Sequence, residues 1–453
     1  MIDRATLGIL ALGALLALAG CEGAQSHFSN DDDGSGDSDT DTDADSDADS
    51  DADSDSDSDD CTQGEFFCQG NDVYECIGPD GESEFVETCP SPLVCINGMC
   101  VSDDECGEAL ANKSNIGCEY YGVDMDNYTS TLPYAIVISN LDAATVNVAV
   151  EQRNATDWVV LDAMDIPSKT AHVFMLGDNS TNGSYHLPYK AYRVTSDLPV
   201  VAYQFNPYAG LTPDESDICT NDGSLLIPTS GLDMYYYALT YPPNVSEGMV
   251  VIAGTEDETL VTVTPSAAVT AGSSVPAIPA GVPEAFLINQ ADVIQLESMG
   301  DLSGTYIEAD KKIAVWGGND CAFVPTSVSF CDHLEHQMFP VTTWGQEFVA
   351  ARTVVRTSAG EPENDYWRVI ASEDSTYIET DPSVPGLDGT TLNAGQVTEV
   401  GVNYSFTVSA TAPIMIGQFL TGHMATDVPF EGAGGDPAFA LLPPHEQFMT
   451  NYV

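Results

Sequence analysis

The sequence predicts a mainly β fold, in which three tandem strand-rich repeats of about 110 residues follow a small disulfide-rich module and a disordered acidic stalk. Three observations predict it: sequence elements that recur at a nearly constant spacing, apolar residues that alternate with polar ones, and cysteines crowded into one short segment. Six or seven short strands in 110 residues favour a β-sandwich for each repeat. Two β-propeller blades of about fifty residues per repeat are the alternative.

Two sequence markers define the repeat. The stretch from Val251 to Thr259 recurs from Val369 to Thr376, and a weaker first copy runs from Val137 to Thr145. A second element, Val194 to Val200, corresponds to Ile307 through Ile313 and to Val408 through Ile414. A third marker, an apolar residue followed by proline and then an aromatic residue, is interpreted as the opening of a repeat; it occurs at Pro228, Pro340 and Pro444.

The strands follow from local patterns. Val146, Val148 and Val150 alternate with polar or small residues, which is typical of a half-buried strand, and 200–205 and 414–419 are apolar runs of β-forming residues. No convincing helical periodicity appears after residue 120. The repeat region is therefore expected to span 106–453, with units at 118–225, 226–337 and 338–440. Residues 441–453 are expected to begin a further unit, and the chain is expected to be a fragment; the alternative is that this segment pairs back onto an earlier unit and closes the array.

The amino terminus predicts export and anchoring. Arg4 precedes a short apolar run from Ala5 to Ala19, which is the right length for a signal-peptide core and too short to cross a bilayer. The run ends in Leu18-Ala19-Gly20-Cys21, which resembles the lipobox of bacterial lipoproteins. This resemblance implies a signal peptide at 1–20 and lipid on Cys21. Glu22, rather than an aspartate, follows, which favours the outer membrane or cell surface.

Residues 21–60 are predicted to form a disordered stalk. The segment 31–60 holds sixteen aspartates and no aromatic, large aliphatic or basic side chain, so it has nothing to bury against the entropy of ordering. Its Asp-x-Asp spacing is similar to that of EF-hand loops, but the glycine and the bidentate glutamate of such loops are missing. A stalk is therefore favoured over a calcium site.

Residues 61–105 are predicted to be a small module held by disulfides. A segment of this length cannot build a sufficient core, and six cysteines would supplement it with three disulfides of undetermined connectivity. A zinc site would require closely spaced Cys or His pairs, which the segment lacks. The six cysteines are Cys61, Cys68, Cys76, Cys89, Cys95 and Cys100.

Five further cysteines lie downstream, so at least one is unpaired or pairs outside the chain. Closeness in sequence favours Cys106 with Cys118 and Cys321 with Cys331, which leaves Cys219 over.

The charge excludes one class of partner. Seventy-one acidic residues against eleven basic ones give a formal net charge of −60, which opposes binding to nucleic acid. The closest histidines lie in His333-Leu334-Glu335-His336, but a zinc protease needs H-E-x-x-H on a helix. Ser303 lacks the G-x-S-x-G spacing of a nucleophile elbow. No enzyme activity, cofactor or metal is therefore expected.

Acidic loops leave a calcium alternative open, although solvation and turn chemistry are the simpler interpretation. The loops are Asp124, Asp126 and Asn127; Asp214, Glu215 and Asp217; Glu256 and Asp257; and the equivalent Glu373 and Asp374.

Four short motifs resemble the family named after the amino-terminal part of the IgG-Fc-binding protein. They begin at Asn115, Tyr203, Ser224 and Cys331 and place the resemblance over roughly 106–453. The resemblance implies an extracellular β-rich module with no known catalytic residues. We therefore expect a cell-surface or periplasm-facing protein that binds an extracellular glycan or protein ligand. An exported hydrolase with an unrecognised active site and a purely structural envelope protein are the alternatives.

Overall fold

The computed structural model describes residues 64–78, 82–112, 114–128, 133–208, 220–358, 360, 362–428 and 435–448. Several sequence-based expectations concern residues outside these ranges: the signal peptide, Cys21, the stalk, Cys61, the 214–217 loop, Cys219 and 449–453. The described chain divides into two compact units, one ending at Ala111 and one beginning at Asn112. No helix among the described residues is long and apolar enough to cross a membrane.

In the part that the structure describes, the amino-terminal unit is a small module of five strands and one helix. Strands β1 to β3 form one antiparallel sheet, β4 and β5 form a hairpin, and Asp104 caps the helix by accepting a bond from the N–H of Gly107 at 2.8 Å. The elements are β1 (Phe66–Gln69), β2 (Asp72–Cys76), β3 (Ser83–Thr88), β4 (Val94–Ile96), β5 (Met99–Val101) and α1 (Glu105–Ala111).

Disulfides stabilise this module in place of a large core. Strand β3 is exposed along its whole length, and few side chains of the module are buried. Two bridges join Cys68 to Cys95 and Cys89 to Cys100. Cys76 and Cys106 are also disulfide-bonded.

The second unit consists of three repeats. Repeat 1 contains β6 (Gly117–Gly122), β7 (Tyr134–Ser139), β8 (Val146–Arg153), β9 (Trp158–Ile166), β10 (Ala171–Gly177), β11 (Tyr185–Leu187), β12 (Tyr192–Asn206) and β13 (Asp222–Leu225). Repeat 2 contains β14 (Asp233–Tyr237), β15 (Gly248–Gly254), β16 (Thr259–Thr264), β17 (Glu284–Ile288), β18 (Val293–Ser298), β19 (Tyr306–Ala322) and β20 (Asp332–Gln337). Repeat 3 contains β21 (Gly345–Ala350), β22 (Asp365–Ala371), β23 (Thr376–Asp381), β24 (Thr391–Leu392), β25 (Val397–Val402), β26 (Phe406–Leu420) and β27 (Ala438–Leu441).

Each repeat is built around one long strand: β12, β19 or β26. The first half of that strand pairs with the first and third strands of its repeat, and the second half pairs with the second and last strands. One sheet therefore curls into two faces, as in a sandwich, and the mainly β fold with three repeats is confirmed. The first sequence marker lies on the second strands and the following turn, and the second marker lies on the long strands.

The repeats share their hydrophobic cores. Every residue of β15 is buried, and its side chains alternate between two clusters. Val250 and Ile252 pack into a core that contains Phe419 and Phe439 of repeat 3, whereas Val251 packs into the core of repeat 1. A strand with both faces covered needs the continuous apolar sequence that β15 has.

The last strands of the three repeats meet at one carboxyl group. Oδ2 of Asp222, on β13, accepts hydrogen bonds from the N–H of Glu335 on β20 at 3.1 Å and from the N–H of Phe439 on β27 at 3.0 Å. Its Oδ1 accepts the N–H of Gly223 at 2.9 Å. Burial raises the pKa of Asp222 to about 8, so this carboxyl is mainly neutral at pH 7.

The proline marker closes a repeat rather than opening one, which corrects the sequence interpretation. After Pro444, Oε1 of Glu446 accepts the N–H of Gln346 on β21 at 2.8 Å, and Leu442 lies in the core of repeat 3. The segments after Pro228 and Pro340 return to the first strands of their own repeats in the same way, through Thr229 to Glu119 and Thr342 to Asp233.

Candidate functional site

The loop at 351–358, between β21 and β22, presents the most exposed large apolar side chain among the described residues. Val354 is 82% exposed and its neighbour Val355 is 51% exposed. We call this segment the Val354 loop. Single exposed apolar side chains are common on protein surfaces. This pair is distinguished by being adjacent and by the hydrogen bonds that fix the loop beneath it.

Two buried carboxylates hold this loop in place. Asp365 accepts the N–H and the hydroxyl of Thr353 at 2.6 and 2.8 Å. Glu363 accepts the N–H groups of Arg356 at 2.7 Å and Thr357 at 3.1 Å. Glu363 also pairs with Nε of Arg356 at 3.3 Å, and Asp365 also accepts Nε2 of Gln418 on β26 at 3.0 Å. The two carboxylates therefore fix the path of the chain beneath the valines.

The pKa of Glu363 is consistent with a carboxylate that holds the loop in place. Burial alone would raise its pKa, but the donated hydrogen bonds, led by the N–H of Arg356, outweigh burial and lower the pKa of Glu363 to about 2. Glu363 is therefore charged at neutral pH, and charge-assisted bonds are roughly twice as strong as neutral ones.

Two arginines complete the support from below. Arg352 donates from Nη1 to the carbonyl of Asn403 at 2.7 Å, and Arg356 donates from Nη2 to the carbonyl of Thr421 at 2.8 Å. The chain has only eleven basic residues, and two of them flank one exposed pair of valines. The loop is thus held by hydrogen bonds on both sides of its two exposed valines.

A shallow cleft lies elsewhere on repeat 3, between β23 and β26. Its cavity volume is about 330 Å³, and it is lined mostly by polar and acidic side chains with one aromatic ring, that of Tyr377. Asp388 in its wall accepts the N–H of Thr380 at 2.9 Å and the hydroxyl of Ser383 at 2.7 Å. An aromatic ring among fixed acceptors suits a sugar more than an apolar ligand.

The two histidines of the His333 motif cannot share a metal. The motif lies on β20, where successive side chains point to opposite faces, so His333 and Glu335 face one way and His336 the other. His333 Nε2 lies 3.6 Å from Glu335 Oε2. Burial lowers the pKa of His333 and raises the pKa of Glu335 well above its usual range, so burial disfavours the charged form of both groups.

The acidic loop at Asp124 is buried between repeats 1 and 2. Asp124 accepts the N–H of Asn179 at 2.6 Å, and Asp126 accepts the N–H of Gly183 at 3.2 Å. Burial raises the pKa of Asp124 to about 7, and Asn127 bonds through its amide to the carbonyl of Asn206 at 3.1 Å. Among the described residues, no group of three or more His, Cys, Asp or Glu side chains is placed to hold a metal ion.

The paired acidic residues between the second and third strands of repeats 2 and 3 form turns. Thr259 donates its hydroxyl to the carbonyl of Glu256 at 2.9 Å, and Thr376 does the same to Glu373 at 2.8 Å. Asp257 pairs with Arg153, which lowers its pKa, and Asp374 accepts the N–H of Ala394 at 3.1 Å. Turn chemistry accounts for these residues.

Ser303 and the remaining cysteines have structural positions. The hydroxyl of Ser303 is buried, donates to the carbonyl of Thr240 at 3.0 Å and accepts Nη1 of Arg368 at 2.6 Å, which links repeats 2 and 3. A disulfide joins Cys321 to Cys331 next to β20. Cys118 is also disulfide-bonded.

These features define a class of protein: a tandem β-repeat module with a disulfide-rich amino-terminal unit and a candidate site on a surface loop. The sequence profile described as "IgGFc binding protein" matches residues 222–453, just over half of the chain. The chain belongs to this family. The match covers repeats 2 and 3, including the Val354 loop, and the last strand of repeat 1.

A human relative gives a second comparison. The IgGFc-binding protein of Homo sapiens is 30% identical over 247 residues. The match spans 53% of this chain but only 4% of the length of the human protein.

Sequence reasoning missed the Val354 loop. The sequence Arg352-Thr353-Val354-Val355-Arg356 has the β-branched content of a strand, and nothing in it marks the valines as exposed. The one sequence feature that could have drawn attention to this loop is its pair of arginines, because basic residues are scarce in this acidic chain.

Proposed function

We propose that this chain is an exported binding protein whose ligand is another extracellular protein, contacted through the Val354 loop. Lipid on Cys21 and the acidic stalk would hold the binding region at a bacterial cell envelope, on the outer membrane or cell surface. The exposure of Val354 on a loop fixed by buried carboxylates carries the proposal. Nucleic acid is disfavoured by the net charge of −60.

The energetics favour a protein ligand. Fully burying one valine side chain contributes about 1.5–3 kcal/mol, so a partner that covers both Val354 and Val355 would gain a few kcal/mol from their desolvation. Because the loop is already ordered, binding does not have to supply the free energy of ordering it. The name of the human relative says that it binds IgG Fc, which makes an Fc fragment one reasonable probe among several proteins.

An array experiment tests this proposal. The full chain is applied to a protein array that includes human IgG Fc and to a glycan array. The double variant Val354→Ser, Val355→Ser should lose the protein signals. Val349→Ser is the matched control, because Val349 is 46% exposed on the neighbouring β21, and it should retain them. Protein signals that survive the double variant contradict the proposal.

The cleft at Tyr377 supports a second candidate, glycan binding. Its ring and fixed acceptors would stack on a sugar and accept its hydroxyls. Signals confined to the glycan array and abolished by Tyr377→Ala would favour this function over protein binding.

The anchor is tested separately. Replacing Cys21 with serine should abolish labelling of the protein by a radioactive fatty acid and leave the signal peptide attached. A variant that is still cleaved at this position and labelled would contradict the proposed lipoprotein.

An exported hydrolase and a purely structural envelope protein are the remaining alternatives to a binding protein. Turnover of a panel of glycan and peptide substrates by the full chain would favour the hydrolase.

A further inference from the structure

Strand β9, at the edge of the sheet of repeat 1, is exposed on both of its faces. Residues 159–165 are all exposed, and burial is confined to its ends, at the half-buried Trp158 and the buried Ile166. Among the described strands β9 pairs only with β8, so its outer backbone edge has no strand beside it. Such an edge is a template for another strand.

Side-chain contacts fix the start of β9, and its register with β8 is shifted at Leu161, because Val150 lies opposite Asp162 and Glu151 opposite Val160. The guanidinium of Arg193 lies 3.9 Å from the centre of the Trp158 ring, and the same arginine pairs with Glu151 at 2.8 Å. The turn before β9 is fixed by Asn154, whose Oδ1 accepts the N–H groups of Thr156 and Asp157, both at 2.9 Å.

The side chains of β9 are unusual for a strand in water. Val159, Val160, Leu161 and Met164 are between 39% and 53% exposed. The equivalent edge strand of repeat 2, β17, buries alternate residues, Phe286 and Ile288 among them, and so covers one face. The edge strand of repeat 3, β24, has only two residues. Only repeat 1 presents a long apolar edge among the described strands.

We propose that β9 docks an extended segment of a different protein, which adds to the sheet as a further strand and carries alternating apolar and basic side chains. The open edge supplies backbone hydrogen bonds, and the four apolar side chains supply contact area. Three exposed carboxylates, on Asp157, Asp162 and Asp165, select basic side chains in the partner.

Charge excludes a second copy of the chain as the occupant. Two β9 strands would place these carboxylates against one another, and each chain carries a formal net charge of −60. Like charges directly opposite one another destabilise a pair of strands. This surface lies outside the Val354 loop and outside 222–453, so the inference does not rest on the proposed function.

Synthetic peptides test the inference on the full chain. The probe is a nonapeptide of alternating lysine and valine. Two matched peptides replace lysine with glutamate, or N-methylate the valines to remove backbone donors. Isothermal calorimetry at low salt should give a Kd for the lysine peptide at least about tenfold below those of both matched peptides. Hydrogen–deuterium exchange should slow at 158–166.

Variants of the chain complete the test. Val160→Lys should weaken binding of the lysine peptide at least about tenfold by placing a positive charge on the edge. Leu287→Lys, at a 61% exposed position on β17, is the control and should leave it unchanged. Three results would each overturn the inference. The N-methylated peptide could bind as tightly as the lysine peptide, or exchange could slow at a site other than 158–166. The chain could also form dimers that Val160→Lys dissociates.

Discussion

Replacing Asp222 with alanine tests whether one carboxyl group holds the three repeats together. The substitution removes the acceptor of the N–H groups of Glu335 and Phe439, whose residues are 0% and 2% exposed. A buried donor left unsatisfied costs about 1–3 kcal/mol, so two should lower the free energy of unfolding by roughly 2–6 kcal/mol.

Two further variants test whether the loss of stability comes from the missing hydrogen-bond acceptor. Because the pKa of Asp222 is about 8, its carboxyl is mainly protonated at pH 6, and Asp222→Asn keeps the shape and an acceptor oxygen. This variant should stay within about 1 kcal/mol of the parent protein. Asp310→Ala is the control, because Asp310 is exposed and accepts the N–H of Leu260 at 2.8 Å.

Equilibrium unfolding in urea at pH 6 measures all three variants. The fluorescence of Trp316 and Trp367, which are fully buried, reports the loss of the folded state. The reasoning is refuted if Asp222→Ala costs no more than Asp310→Ala.

Three other outcomes are expected. Burial raises the pKa of Asp222 and Glu297 to about 8 and that of Asp124 to about 7, so between about pH 4 and pH 7 these three groups bind more protons in the folded chain than in the unfolded chain. The urea midpoint should therefore fall as pH rises from 4 to 8, less steeply in Asp222→Asn, and a rising midpoint would contradict this. Replacing Cys321 and Cys331 with serine should cost roughly 2–4 kcal/mol, and an unchanged Tm would argue that their disulfide constrains nothing. Gly345→Ala should lower the free energy of unfolding by roughly 1–3 kcal/mol, because the new Cβ would clash with Pro444. Unchanged stability in urea would show that the segment around Pro444 moves to make room.

The number and position of the repeats could be predicted from the sequence, because duplicated strands keep their spacing and a half-buried strand keeps its alternation. The packing of the repeats against one another could not. The run from Met249 to Ala253 indicates a strand covered on both faces, but it does not say what covers each face. The sequence does not show what the proline marker does for the same reason, since Pro444 packs against Gly345 on β21, far away in sequence.

The candidate metal site and the candidate binding loop also depend on three-dimensional geometry. His333 and His336 are three residues apart, and only the strand at β20 separates them onto opposite faces. Val354 lies in a β-branched run that is typical of a strand. Its exposure results from the hydrogen bonds of Glu363 and Asp365, which fix the loop. Neither outcome follows from residue types and spacing alone.

The position of β13 has a consequence for recombinant expression. The family match begins at Asp222, the first residue of β13, whose hydrogen-bonded partner β12 lies upstream of the match. A polypeptide started at residue 222 would lose β12 and would expose the face of β15 that Val251 buries against repeat 1. We expect it to be recovered in inclusion bodies. A start at residue 112, ahead of β6, keeps the whole compact unit and should give soluble material.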